Sequence, residues 1–206
     1  MPGTNPEGQE ILIVGAGPAG LFAACQLARH GVMPRVVEQQ LVPHRQARAT
    51  AIQPASLELL ARAGVLAPFL EASVHVRRTR LLGPGRTEIG VSDFSGISCP
   101  YEYQCSLPQW RTEDILLAHF HRLGGVVERG TKVLSVDDEA DRLNVTLKRM
   151  DGKMETMLAR YVVGAGGAHD IIGSLRLSLI EQLPREQAAQ TWPATIPCSP
   201  QRRADS

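Results

Sequence analysis

Three glycines near the start of the chain have the spacing of a turn that binds a diphosphate. Gly15, Gly17 and Gly20 form the pattern Gly-x-Gly-x-x-Gly, directly after an apolar run at residues 11–14. In such a turn the first glycine permits a sharp bend and the second lets a ligand approach the backbone. The third lets the following helix pack closely on the strands. The first amides of that helix, with Ala19 as a candidate among them, then point at the phosphates from the positive end of the helix dipole.

A carboxylate follows where a dinucleotide fold holds the ribose. Glu38 comes eighteen residues after Gly20 and ends a second apolar run. A carboxylate in that place accepts hydrogen bonds from both ribose hydroxyls of an adenosine and repels a 2′-phosphate. No Lys-Ser or Lys-Thr pair follows the glycines, which excludes a P-loop. The pattern predicts an adenine dinucleotide site and leaves NAD and FAD as alternatives.

The elements that must position these residues form a compact βαβ unit. The β-branched run at 11–14 is typical of a strand buried on both faces of a parallel sheet. Pro18 suits the first turn of a helix, and Gly31 is a natural stop for it. Residues 35–38 are then expected to form the second strand.

The rest of the chain mixes helical and extended patterns. Residues 54–65 have helical periodicity, and residues 72–107 read as a β-rich interruption. A helix is expected to return after Thr112, which would cap it, with carboxylates in its first turn. The later strands are predicted at 126–129, 131–137, 142–149 and 154–163.

Four motifs in order give the chain a family resemblance over about residues 9–173. They are "IVGAGPAGLFAACQLARHG" with Glu38, "RATAIQPASLELLARAGV", "LPQWRTEDILL" and "ARYVVGAGGAH". The chain resembles the flavoprotein aromatic hydroxylases of the para-hydroxybenzoate hydroxylase type. The resemblance implies that Arg48 approaches the FAD phosphates or ribose and that Gln109 contacts the flavin nucleotide. It also implies that the second glycine turn reaches the far side of the same cofactor, with Gly166 in the place of a family aspartate.

The fold that this resemblance implies is α/β. We expect a Rossmann-like FAD-binding fold with a parallel sheet, interrupted by a β-rich insert that faces the substrate, and incomplete relative to the family. The βαβ unit and the following helix would take residues 1–71, and the insert residues 72–107. The FAD-binding domain would continue at 108–173, and 174–206 would be a short helix and a disordered tail.

The resemblance also implies an FAD-dependent monooxygenase. NAD(P)H would reduce FAD, and O2 would then give a flavin hydroperoxide that hydroxylates a phenolic or other aromatic substrate. The protein would position the ring and exclude water. The motifs identify residues that contact the cofactor, and they identify no catalytic acid or base.

Composition and charge favour a protein of the cytoplasm. The chain has 206 residues, of which 43% are hydrophobic and 21% charged, as in soluble globular proteins. A net charge of +1 gives no reason to expect nucleic acid or an anionic membrane as a partner. The four cysteines lack metal or redox spacing, so we expect reduced thiols. His119 and His121 would point to different faces of a helix, so no metal site is expected.

The C-terminal part departs from the family pattern. Family members continue with a further half that includes a Gly-Asp turn, and nothing after Ile180 resembles it. We therefore expect a truncated or frame-shifted product. Three hypotheses stay open: the monooxygenase, a catalytically incomplete remnant that binds FAD weakly or with a partner chain, and an unrelated NAD-dependent dehydrogenase.

Overall fold

The computed structural model describes residues 10–43, 45, 51–139 and 141–167. These residues form two compact units. In the described part, the first unit holds residues 10–43, 45 and 113–167, and the second holds residues 51–112. The four segments expected from the sequence stay a prediction, and residues 174–206 lie outside the described part of the chain.

The chain alternates helices and strands with a strand-rich stretch between them. In chain order the elements are β1 (Ile11–Val14), α1 (Pro18–Arg29), β2 (Arg35–Glu38), β3 (Ala51–Ile52), α2 (Pro54–Arg62), α3 (Leu66–Ala72), β4 (Val74–Val76), β5 (Arg78–Leu82), a 3-10 turn (Pro84–Arg86), β6 (Glu88–Asp93), β7 (Gln104–Ser106), α4 (Gln109–Arg122), β8 (Val127–Arg129), β9 (Thr131–Glu139), β10 (Arg142–Arg149), β11 (Met154–Ala159) and β12 (Tyr161–Gly164).

A four-stranded parallel sheet is the centre of the first unit. Its strand order is β12-β1-β2-β8, and every neighbouring pair is parallel. Leu12 and Ile13 are fully buried, because successive side chains of a strand point to opposite faces and both faces of β1 are covered. Pro18 starts α1, and Gly31 follows its end with a φ of +81°. The predicted βαβ unit is confirmed.

A three-stranded antiparallel sheet, β11-β10-β9, packs on one face of the parallel sheet. An Asp-Gly turn joins β10 to β11, with Gly152 at a φ of +83°. Apolar side chains from both sheets form one buried cluster. Its fully buried members are Leu12, Val37, Val133, Val145, Leu147, Met157 and Ala159.

The single strand predicted at 154–163 is wrong, because the chain changes sheets within it. β11 ends at Ala159 in the antiparallel sheet, and β12 begins at Tyr161 in the parallel sheet. At the change, the amides of Arg160 and Tyr161 both donate to the Glu10 carbonyl, at 2.8 and 3.0 Å. This switch places the second glycine turn at the end of a parallel strand beside β1.

The second unit combines short helices with small antiparallel sheets. Strands β3, β7 and β4 form one sheet in the order β3-β7-β4, and β5 pairs with β6 in a hairpin around the 3-10 turn at Pro84–Arg86. The helix predicted at 54–65 ends earlier, at Arg62. Gly64, with a φ of +71°, then separates it from α3, which the sequence did not predict.

The prediction that Thr112 caps the fourth helix is also wrong. Helix α4 begins at Gln109, and the amides of Arg111 and Thr112 donate to the Pro108 carbonyl at 2.9 and 3.3 Å. Thr112 therefore lies inside the first turn, and no carboxylate occupies that turn. The first hydrogen bonds of α4 are therefore accepted by the Pro108 carbonyl and not by the side chain of Thr112.

Candidate functional site

Two glycines of the first turn are required by the packing of the chain itself. The backbone bends at Gly15, which has a φ of +109°, and the Gly15 amide donates to the Val37 carbonyl at 2.8 Å. A Cβ at Gly15 would lie 2.6 Å from the Ala165 carbonyl carbon, and one at Gly20 would collide with the Gly15 carbonyl oxygen. A side chain at either position would displace backbone atoms, which are the least able to move.

The third glycine, Gly17, is not required by internal packing. Its backbone is extended, with φ −74° and ψ −179°. Apart from its two chain neighbours, no described residue has a heavy atom within 4 Å of a Cβ built on it. No side chain caps the helix that starts after it. The first helical hydrogen bond runs from the Leu21 amide to the Gly17 carbonyl at 2.9 Å. The amides of Ala19 and Gly20 precede that bond and therefore have no partner within the helix.

These features make the start of α1 an anion-binding arrangement. Amides without a side-chain cap lie at the positive end of the helix dipole, and among the described residues the position of a Gly17 side chain is open space. The residues present thus fit a diphosphate group.

Glu38 is held beside the same turn. It ends β2 and is half-buried, and its Oε2 accepts a hydrogen bond from the Ala16 amide at 2.9 Å. Its Oε1 accepts one from the Gln40 amide at 2.8 Å. A carboxylate has about four acceptor sites, so two remain for hydroxyl groups after both backbone bonds are made. The predicted ribose carboxylate therefore lies close to the predicted phosphate turn.

The second glycine turn lies against the first. β12 pairs with β1 in parallel, and the Ala165 amide donates to the Val14 carbonyl at 2.8 Å. The nearest atoms to a Cβ on Gly15 belong to Ala165 and Gly166. A neighbouring strand of the sheet thus delivers the second turn beside the first, and the expectation that this turn reaches the far side of a cofactor stays a prediction. A contact between Gly166 and a cofactor stays a prediction.

Arg48 and Gln109 are the two predicted residues outside the described part of the first unit. Arg48 lies outside the described residues. Gln109 is the first residue of α4, is half-buried and belongs to the second unit. Their cofactor contacts remain predictions.

Sequence reasoning missed a buried ion network at the other end of β2. Arg35 is only 6% exposed, and its guanidinium is hydrogen-bonded to Glu128 and Glu155 at 2.6–3.0 Å. Burial alone lowers the pKa of Arg35, but these hydrogen bonds outweigh it and hold the pKa above its ordinary value. The hydrogen bond from Arg35 is also the main reason that the pKa of Glu155 is lowered. The position of Arg35 at the start of an apolar strand was the sequence signal that could have indicated a buried ion pair.

The buried thiol of Cys25 is not a reactive group. Its Sγ donates to the Leu116 carbonyl at 3.5 Å, and burial raises its pKa to about 11, against a smaller lowering by Arg122. In the described part of the chain, no three His, Cys, Asp or Glu side chains are grouped so that they could hold a metal ion. No helix among the described residues is both long and apolar enough to cross a membrane.

Fold and site together define a dinucleotide-binding α/β protein of the Rossmann-like class. The sequence model of the FAD binding domain family matches residues 9–189. The chain belongs to this family.

Three known proteins are similar to this chain in sequence or in structure. A rifampicin monooxygenase of Streptomyces venezuelae is 32% identical, over 81% of this chain and 33% of its own. An uncharacterized aromatic compound monooxygenase of Bacillus subtilis is 33% identical, over 77% of this chain and 31% of its own. The crystal structure of p-nitrophenol 4-monooxygenase from Pseudomonas putida has a TM-score of 0.75 at 23% identity, over 80% of this chain and 42% of its own.

These comparisons confirm the fold and the family resemblance for the part of the relatives that this chain matches. The chain spans about a third of the length of the curated relatives that it matches. It is thus similar to the part of aromatic monooxygenases that carries the FAD binding domain.

Proposed function

We propose that this chain is the FAD-binding part of a monooxygenase that uses NAD(P)H and O2 to hydroxylate a phenolic or other aromatic compound. The observation that carries the proposal is the open space at Gly17, in front of the uncapped start of α1 and in the same unit as Glu38. Family membership selects FAD over NAD as the dinucleotide.

Each residue of the first turn has a separate role in this proposal. The amides of Ala19 and Gly20 donate to the diphosphate, and the missing side chain of Gly17 lets the phosphates come close enough to accept. Glu38 accepts hydrogen bonds from the ribose hydroxyls. Its two backbone hydrogen bonds fix its position before the ligand arrives, which lowers the entropy lost on binding.

FAD, when bound, supplies the redox chemistry between NAD(P)H, O2 and the aromatic ring. The described residues of this chain bind and orient it. Gly166 stands in the place of a family aspartate, and its backbone lies next to Gly15. It would contact the same cofactor without a charged side chain. We place the protein in the cytoplasm, with a small aromatic molecule as its partner and neither nucleic acid nor membrane.

A second candidate is the catalytically incomplete FAD-binding remnant. It is favoured by one observation: Gly166 stands where the resemblance implies an aspartate, so the second glycine turn lacks a charged contact. In this case the first turn binds FAD, and oxidation of NAD(P)H does not follow.

One set of measurements on the purified full chain separates these candidates. We expect FAD to bind, seen as a change in flavin fluorescence on titration, and NAD(P)H to be oxidised faster when a phenol is added. FAD binding without NAD(P)H oxidation would support the remnant. Tight NAD binding without a flavin signal would support the dehydrogenase. Protein that binds no FAD contradicts the proposed function.

A further inference from the structure

The valines of β2 and its charged ends fix its register together. The strand reads Arg35-Val36-Val37-Glu38, and both valines are buried. A slip by one residue would move one valine out of the core and bring Arg35 or Glu38 into a buried valine position. It would also turn each side chain to the opposite face of the sheet. The contacts of the two charged ends therefore add to the register that the valines favour.

Arg35 ties the first end of β2 to two other strands. Its Nε and Nη2 each donate to Glu128 of β8 at 2.8 Å. Its Nη1 and Nη2 donate to Glu155 of β11 at 2.6 and 3.0 Å. The guanidinium also contacts the Met157 sulfur at 3.5 Å. One buried side chain thus makes two hydrogen bonds within the parallel sheet and two that connect it to the antiparallel sheet.

Such a buried pair contributes little net stability, since the loss of hydration offsets the attraction. Its effect is on specificity. A slip of β2 by one residue moves the guanidinium by about 3.3 Å. Both bidentate pairs would then break and leave a charge buried without its partners, which is strongly unfavourable. The arrangement selects one register.

The same register places the candidate site. At the other end of β2, Val37 accepts a hydrogen bond from Gly15, and Glu38 accepts one from Ala16. A slip that moves Glu38 by about 3.3 Å would break the 2.9 Å bond to Ala16. We propose that Arg35 is a positioning residue: by fixing the register of β2, it holds the Glu38 carboxylate against the first glycine turn. Its consequence for FAD rests on the proposed function.

The first test needs no cofactor. Amide hydrogen exchange at Gly15 and Ala16 is measured on the full chain and on Arg35→Met. Because the single variant leaves two glutamates facing each other, the neutral variant Arg35→Met with Glu128→Gln and Glu155→Gln is measured as well.

We expect exchange at the two turn amides to become at least about tenfold faster, with the free energy of unfolding of the neutral variant unchanged or higher. Arg149→Met is the matched control. Arg149 lies 3.9 and 4.0 Å from the same two glutamates but on β10 and half-exposed, so the turn amides should keep their exchange rates. Unchanged exchange at Ala16 in a folded Arg35 variant would overturn the proposal.

The second test is a double-mutant cycle on FAD affinity. If Arg35 acts through Glu38, the neutral Arg35 variant raises the FAD dissociation constant about tenfold in the natural chain. In a Glu38→Ala background it should raise it less than about twofold. Equal losses in both backgrounds would show a general structural effect and overturn the proposal. No effect of Glu38→Ala alone, together with faster exchange at Ala16, would refute the ribose assignment and support the register role.

Discussion

Replacing Gly17 with alanine should separate folding from cofactor binding. Beyond the two chain neighbours, no heavy atom in the described part of the chain lies within 4 Å of the new methyl group, and the φ of −74° is ordinary for alanine. Loss of a glycine at the helix N-cap costs about 0.5–1 kcal/mol. The reduced entropy of the unfolded chain returns about 0.4–1 kcal/mol. The free energy of unfolding, measured by urea denaturation, should therefore change by less than about 0.5 kcal/mol.

The same methyl group should weaken FAD binding strongly. It would occupy the open space in front of the amides of Ala19 and Gly20, which the diphosphate needs. A hydrogen bond to a charged group contributes about 1.5–3 kcal/mol, and loss of one such bond corresponds to a roughly ten- to hundredfold higher dissociation constant. Titration followed by flavin fluorescence measures this change directly.

Gly90→Ala is the matched control for that experiment. Gly90 lies on β6 in the second unit, and a Cβ there would meet only Leu81, at an ordinary 3.9 Å. The control should bind FAD as the natural chain does. If Gly17→Ala also binds FAD with unchanged affinity, the open space does not receive the diphosphate and the assignment of the site fails.

Four further outcomes follow from the same structure. Gly20→Ala should lower the free energy of unfolding by about 1–3 kcal/mol, because its Cβ collides with a backbone carbonyl; an unchanged urea midpoint would contradict the packing described. Glu38→Ala should raise the FAD dissociation constant at least about tenfold, whereas Glu139→Ala, at an exposed carboxylate, should not. With a pKa of about 11 against the ordinary 9.0, Cys25 should be alkylated about a hundredfold more slowly in the native chain than in urea near neutral pH, as peptide mass spectrometry can measure. The pKa of Glu155 is lowered, so the ion pair with Arg35 stabilises the fold fully above the ordinary carboxyl pKa of 4.5. This stabilisation is lost as the pH falls through the lowered pKa. Glu155→Gln should therefore reduce the decrease in the free energy of unfolding, measured in urea, between about pH 6 and about pH 3.

Local signals in the sequence predicted the βαβ unit well. Helix α1 begins at Pro18, Gly31 follows its end, and Gly152 lies in the turn before β11. These positions were predictable because each residue type suits the backbone conformation that its position requires. The start of α4 was missed for the opposite reason. A Thr followed by carboxylates is a frequent cap, and here the Pro108 carbonyl provides the first acceptor instead.

Features that depend on distant parts of the chain could not be predicted in the same way. The extended pattern at 154–163 is continuous in the sequence. The chain changes sheets where the Arg160 and Tyr161 amides donate to the distant Glu10 carbonyl. Arg35 looks like a surface residue until the antiparallel sheet brings Glu155 to it, 120 residues later in the chain. The glycine pattern of the site was predictable, whereas the network that positions β2 was not.

The two glycine turns also show why a motif match and a binding site are different claims. Gly15 and Gly20 must lack side chains because the second turn and the turn itself occupy the space, so they would be needed even if no ligand were bound. Gly17 is the position whose missing side chain the described chain does not use. A remnant that had lost its cofactor would therefore still need two glycines of the three in order to fold. Among the described residues, the space at Gly17, near Glu38, is the feature of the turn that the proposed ligand explains and internal packing does not.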